Sequence, residues 1–296
     1  MSALVVNLLA VVLARLSLPM NHRLGATVGW LAWSCRTSLR TVTEINLDLC
    51  FPEWTEQEKQ RVGKASLIET GKALTESFWL WKRPSHHVAK LITITEGEQL
   101  LRVAQDANAG LLVATPHIGS WEVCCLPLVQ DEPITCLYQA PRQAALEPIT
   151  ISGRVNLGCE PTRLDPPGIK HVLQKLKAGN TVGLLPDQEP DEQNGEFAPK
   201  FGVPANTMTL LAKFAHRTKA NVIFCFAERL PRGRGWQIHY HQPESDIGSS
   251  DKRKATTALN AAVELCIRNC PEQYLWNYKR FRRLPDGTRR NYKSRP

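Results

Sequence analysis

Ala3 to Ala14 (ALVVNLLAVVLA) is almost wholly apolar, Arg15 interrupts it, and after a break at Asn21-His22-Arg23 apolar character returns from Leu24 to Cys35. A bilayer-spanning helix needs roughly 20 continuous apolar residues. The first run is shorter, so it predicts a short tilted or interfacial anchor, with a pair of helices packed on a soluble core as the alternative. It also lacks the basic start and small-residue cleavage site of a secretory signal. Trp30 and Trp33 stand three apart, on one helical face, and paired indoles beside a basic break suit a membrane interface. Residues 36–90 read as helices. Leu39, Val42, Ile45 and Leu49 recur at helical spacing, Phe51-Pro52-Glu53-Trp54 is a break, and Thr55 with Glu58 forms a capping box.

From about residue 96 the pattern changes to alternating elements. Helices are predicted over Glu96 to Ala109, from about Ser120, around 143–156, Gly168 to Ala178, 205–218 and 250–269. Strands are predicted at Leu111 to Thr115, Ile134 to Tyr138, Thr181 to Leu185, Val222 to Glu228 and Trp236 to His241, with a Pro-rich loop at 161–167 and a long loop at 187–204. Such alternation predicts an α/β fold: a largely parallel central sheet flanked by helices, one late hairpin, and an N-terminal helical membrane-associating segment. The expected organisation is a membrane-associating segment over 1–35, a helical region over 36–94, and an α/β core with a basic tail over 95–296.

Composition narrows the class. The chain is 43% apolar and 22% charged, which excludes disorder, collagen and a polytopic membrane protein. Its nine cysteines are odd in number and scattered without a CxxC, which argues against a disulfide scaffold and for a reducing compartment. The net charge of +9 is local: residues 276–296 hold eight Lys/Arg against the single acid Asp286. A concentrated positive segment predicts docking of something acidic.

The stretch that carries chemistry is 111–123, LLVATPHIGSWEV. A buried strand runs out at Thr115-Pro116, His117 follows at its carboxyl end, Gly119 permits a tight turn, and Glu122 falls in the first turn of the next element. On a continuous helix, residues five apart point about 140° from one another. His117 and Glu122 therefore converge only if the histidine lies before the helix, where Pro116 and Gly119 put the break. Imidazole and carboxylate then meet in the crevice where open α/β sheets bind ligands. A carboxylate on one ring nitrogen makes the other a general base for a hydroxyl. The competing reading is a buried structural pair at a helix start.

This HIGSWE block resembles the HxxxxD/E motif of the lysophospholipid acyltransferase superfamily, and more narrowly the bacterial lipid A biosynthesis acyltransferases that add lauroyl or myristoyl chains. The likeness continues in order through TEGEQLLRVAQDANAGLLVATPH (95–117), a Tyr138 segment with Arg154 downstream, LLPDQ (184–188), KFGVPANTMTLLAKFAHRT (200–218) and WNYKRFRR (276–283). One departure stands out: the family commonly has Arg two residues before the Pro of a YRxP-like segment, whereas here the order is Tyr138-Gln139-Ala140-Pro141-Arg142. The resemblance implies transfer of a fatty acyl chain from acyl carrier protein, with acyl-CoA as another donor, to a hydroxyl of a lipid A precursor. It implies His117 as general base oriented by Glu122, substrate contacts from Arg154, Asp187, Gln188, Arg142, Gly202 and Thr207, and no metal or other cofactor. It further implies a monomer at the cytoplasmic face of the inner membrane, with the acidic carrier protein docking on the basic tail.

Other readings stay open. Asp187 suits a turn or cap after Pro186, and Gly202 and Thr207 suit a turn and a helix start. His239 and His241 share a strand face but lack a third metal ligand, and no nucleic-acid-binding motif accompanies the basic tail. The same chemistry on another membrane lipid, and a non-enzymatic membrane-surface adaptor, are the competing functions. An adaptor has no use for His117.

Overall fold

The computed structural model describes residues 3–106, 109–129, 133–141 and 143–295. The N-terminal part is helical, with α1 (Ala3–Arg15), α2 (Leu18–Ser34), α3 (Ser38–Cys50), the long α4 (Glu56–Lys82) and the short α5 (Ser85–Ala89). Thr55 and Glu58 form the expected capping box at the start of α4. Helix α2 lies on α4 at backbone contact. A Cβ on Gly29 would come within 2.1 Å of the Leu67 carbonyl oxygen, and one on Gly71 within 2.1 Å of the Gly25 carbonyl oxygen. The two indoles of α2 separate: Trp33 is buried against Gly63 of α4, whereas Trp30 is exposed. The expected pair at a membrane interface is thus one exposed indole and one core indole, because the two point about 60° apart and α4 covers only one. No described helix is long and apolar enough to cross a membrane.

Seven strands build the main sheet: β1 (Ile92–Glu96), β2 (Leu111–Ala114), β3 (Ile134–Tyr138), β4 (Cys159–Arg163), β5 (Thr181–Leu184), β8 (Asn221–Arg229) and β9 (Trp236–His241). Their order is β1-β9-β8-β2-β5-β3-β4, all neighbours parallel except the β8–β9 hairpin. Strand β2 sits inside the sheet between β8 and β5, and all four of its residues are buried. Leu112 and Ala114 join the core beneath α8 (Pro166–Lys177), α9 (Leu210–Thr218) and α10 (Lys252–Asn269), while Leu111 and Val113 face Trp79 and Leu80 of α4 and Leu101 of α6 (Glu98–Asp106). Side chains alternate along a strand, so a strand covered on both faces reads as one unbroken apolar run.

Three expectations fail locally. No α-helix starts at Ser120; two short 3-10 turns, Trp121–Val123 and Leu126–Leu128, take its place, and Ser120 caps nothing. Pro127 lacks the N–H that would extend the first turn. Much of the expected loop 187–204 and the start of the expected helix 205–218 form a hairpin, β6 (Gly195–Lys200) with β7 (Val203–Met208), turning through Phe201 and Gly202 at positive φ. Part of the Pro-rich loop 161–167 is the edge strand β4.

Candidate active site

The backbone register of the two central strands assembles the site. Ala114 of β2 pairs with Leu184 of β5, seventy positions on, and Thr115 N–H bonds the Leu184 carbonyl. Carried three residues past both strand ends, the same offset sets His117 opposite Asp187. The His117 backbone N–H donates to Asp187 Oδ2 at 3.0 Å, and its ring Nδ1 lies 2.7 Å from Oδ1. The turn that follows is clamped on three sides: Leu275 N–H bonds His117 O, Gly119 N–H bonds Gln273 O, and Ser120 N–H bonds Ala227 O. Gly119 has φ +58°, and a Cβ there would lie 2.0 Å from the Ala227 carbonyl oxygen, so only glycine fits. Arg229, at the end of β8, donates to Gly119 O and to both oxygens of Glu76 on α4. Glu76 in turn meets His22 of α2 and Trp236 Nε1.

Asp187 is buried. Burial opposes its ionisation, but the His117 imidazole, the hydrogen bonds from it and the Lys200 ammonium outweigh that and hold the carboxyl at about 2. A permanent carboxylate at Nδ1 places the ring proton there and leaves Nε2 as the lone-pair nitrogen. The Gln188 side-chain amide, 3.2 Å from Nε2, donates to that lone pair. The imidazole is therefore held at both nitrogens, with the basic one turned toward Gln188, and the Trp121 ring stands 5.0 Å away.

The carboxylate on His117 is thus Asp187, where Glu122 was expected. Glu122 instead pairs with Arg154 of α7 (Glu147–Asn156): Arg154 Nε reaches Oε2 at 3.0 Å and its NH2 group reaches Oε1 at 2.7 Å, and Trp81 Nε1 adds a bond at 3.2 Å. Burial works against the Glu122 carboxylate, but Arg154 prevails and lowers it. The reason for the change is local. Without an α-helix after Gly119, the 3-10 turn carries Glu122 toward α7 and α4. Both partners border a small cavity of about 50 Å³ whose other walls include Val113, Leu128, Cys136 and Leu137.

The remaining expected residues scatter. Gly202 is the hairpin turn, and buried Thr207 hydrogen-bonds Asn260 and Arg280, so it ties β7 to α10 and the C-terminal segment. Arg142 lies outside the described residues. The basic tail is folded onto the protein: Arg280 is buried against Asn206 O, Arg282 pairs with Glu189, and Arg295 pairs with Asp48 and Glu56. Sequence reasoning missed Lys200, buried on the hairpin, and Tyr274, buried beside the His117 turn where it bridges Ile118. The signal for the His117–Asp187 pairing was available, since both follow an apolar strand by the same count of residues.

The family profile described as bacterial lipid A biosynthesis acyltransferase matches residues 2–283. The chain is 28% identical over 279 residues to the lipid A biosynthesis lauroyltransferase of Escherichia coli K12, covering 94% of this chain and 90% of that one. It is 26% identical over 277 residues to the palmitoleoyltransferase of the same organism, covering 92% and 88%. To the myristoyltransferase of that organism it is 23% identical over 279 residues, covering 93% and 84%.

Proposed function

The chain belongs to the bacterial lipid A biosynthesis acyltransferase family, and from that premise we propose that it moves a fatty acyl group from acyl carrier protein to a hydroxyl of a lipid A precursor. The observation that carries the reading is His117, fixed between Asp187 and Gln188 at the carboxyl ends of β2 and β5. The acceptor hydroxyl takes the place of the Gln188 amide at Nε2 and gives up its proton there. The alkoxide attacks the thioester carbonyl. As the tetrahedral intermediate collapses, the thiolate leaves and accepts the proton from the imidazolium. Asp187 stabilises that imidazolium and keeps the ring in its tautomer. Glu122 acts at one remove, by holding Arg154 and the turn that carries His117; Arg154 is largely occupied by that ion pair.

The setting is the cytoplasmic face of the inner membrane. Support comes from an exposed apolar face on α1 and α2 that includes Leu8, Val12, Leu24, Val28, Trp30 and Leu31. Apolar side chains on such a pair of helices favour the headgroup boundary. The carrier protein is acidic, and the exposed Arg289 and Lys293 offer it charge that the folded tail leaves at the surface.

The test is lipid mass spectrometry of a strain deleted for this chain and complemented with variants. Wild type restores a lipid A species heavier by one acyl chain. Folded His117→Ala lowers transfer by at least ~10²-fold, and Asp187→Asn follows it. Near-normal turnover by His117→Ala sinks the mechanism, and a missing acyl chain on another lipid class sinks the acceptor.

A further inference from the structure

Lys200 ends β6 with its side chain turned inward; it is 1% exposed, and its ammonium makes no hydrogen bond among the described residues. Nζ stands 5.6 Å from the centroid of the Tyr274 ring; Tyr274 bridges Ile118, and the next residue, Leu275, donates its N–H to His117 O. The charged and titratable groups facing Lys200 are Arg280 and Tyr274 of the C-terminal segment, Asp187 beyond β5, Cys50 at the end of α3, and Glu264 and Cys266 on α10. Most are already engaged. Arg280 donates to Asn206 O and Thr207, Glu264 accepts from the Phe201 N–H, and burial pushes the Cys50 thiol far up, so it stays neutral. Asp187 and Glu264 are the carboxylates that oppose the ammonium, and Asp187 acts on it more strongly.

A buried ammonium with no hydrogen-bond partner is among the costliest arrangements a core can hold. An apolar residue of the same length would remove that cost without altering the hairpin. The field of the charge is what such a replacement would lose, and Asp187 with its imidazole lies within that field. We propose that Lys200 is a positioning residue for proton transfer, the buried positive charge against which Asp187 holds the His117 imidazole.

Before transfer the imidazole is neutral, and Lys200 is the counter-charge of the Asp187 carboxylate. Once Nε2 has taken the hydroxyl proton, two cations share one carboxylate. The imidazolium then releases its proton more readily to the departing thiolate. Lys200 thereby trades a little strength of the base for return of the proton in the second half of the reaction. The inference rests on the assignment of His117 and Asp187 as the proton-transfer pair.

Burial and the neighbouring Arg280 lower the Lys200 ammonium to about 8, so the experiment compares the full-length Lys200→Met, Lys200→Gln and Lys200→Arg proteins with wild type below that pH, using an acyl carrier protein donor. Lys200→Met is expected to melt no lower than wild type, because a lone buried charge is gone. Its kcat should fall about tenfold with KM for the donor within about twofold, and the low-pH limb of the kcat profile should move up by about one pH unit. Lys200→Arg keeps the charge and should keep the limb where wild type has it. Should Lys200→Met fail to fold, Lys200→Gln against Lys200→Arg carries the same comparison. An unmoved limb in a folded neutral variant overturns the proposal, as does an equal shift in Lys200→Arg. Asp187→Asn and His117→Ala run beside them separate the two failures. If those variants retain activity the underlying pair is wrong, whereas if they are dead and the limb stays put, Lys200 alone is misassigned.

Discussion

At the scale of single residues, the site divides into two ion pairs with different work. His117–Asp187 stands at the carboxyl ends of β2 and β5 and carries the proposed chemistry, and Glu122–Arg154 braces the wall beside it. Truncating Glu122 strands a mostly buried guanidinium, so Glu122→Ala should cost about 3 kcal/mol or more. Removing both charges in Glu122→Ala/Arg154→Met should recover much of that in a denaturant titration. If the double variant is no more stable than the single, the pair does not hold the wall. Asp187 also links stability to pH. Its folded carboxyl sits at about 2, below the roughly 3.9 of an unfolded chain. The unfolded state therefore binds more protons in that window, and the contribution, roughly 2 kcal/mol, is complete above about pH 4 and lost as pH falls toward 2. Asp187→Asn should flatten that part of the acid-unfolding curve. His117 was legible because strand, proline and glycine stake out its position in one short stretch. Its partner Asp187 reads from the sequence only as a substrate contact or a turn residue, since the pairing depends on which strand lies beside β2, and that is a property of the sheet.

At the scale of elements, legibility followed chemistry. Strands β2, β5 and β8 are apolar runs between turn residues and read directly. The β6–β7 hairpin did not, because Pro199 faces Pro204 across it and both read as loop; Asn260 of α10 secures it by bonding the Ala198 and Pro199 carbonyls. Strand β4 (CEPTR) carries a proline and charges that an edge position tolerates. The N-terminal helices were legible as apolar segments, while their seating was not. If residues 1–35 were only a membrane anchor, removing them would free a working core. Yet α2 buries Asn21 and His22 against Thr75 and Glu76 of α4, so that truncation should give an insoluble or unfolded protein. Surface substitutions separate the roles: Leu24→Asp with Val28→Asp should shift the protein to the soluble fraction after cell lysis with its melting temperature unchanged. Quantitative pelleting of the folded variant with membranes would place the attachment elsewhere.

At the scale of the whole molecule, the concentration of positive charge near the C-terminus proved partly structural. Reversing Arg282 would break its bond to Glu189 and confuse docking with folding. Arg289→Glu with Lys293→Glu avoids this. It should lower kcat/KM for the protein donor, spare acyl-CoA, and reduce the loss of activity as salt screens attraction over roughly 8–10 Å. Equal losses with both donors would remove the tail as a docking surface. The hydrogen-bonded line from His22 through Glu76 and Arg229 to Gly119 O joins the helix with the apolar face to the turn that bears the base. With α2 and α4 in backbone contact, that line is a strut of fixed length. If α2 rests on the membrane as proposed, His117 stands at a set elevation above that plane, whatever lipid surrounds it. In the proposed reaction the lipid acceptor offers hydroxyls at different depths, and a fixed elevation would select among them by altitude, before any side chain has read the sugar.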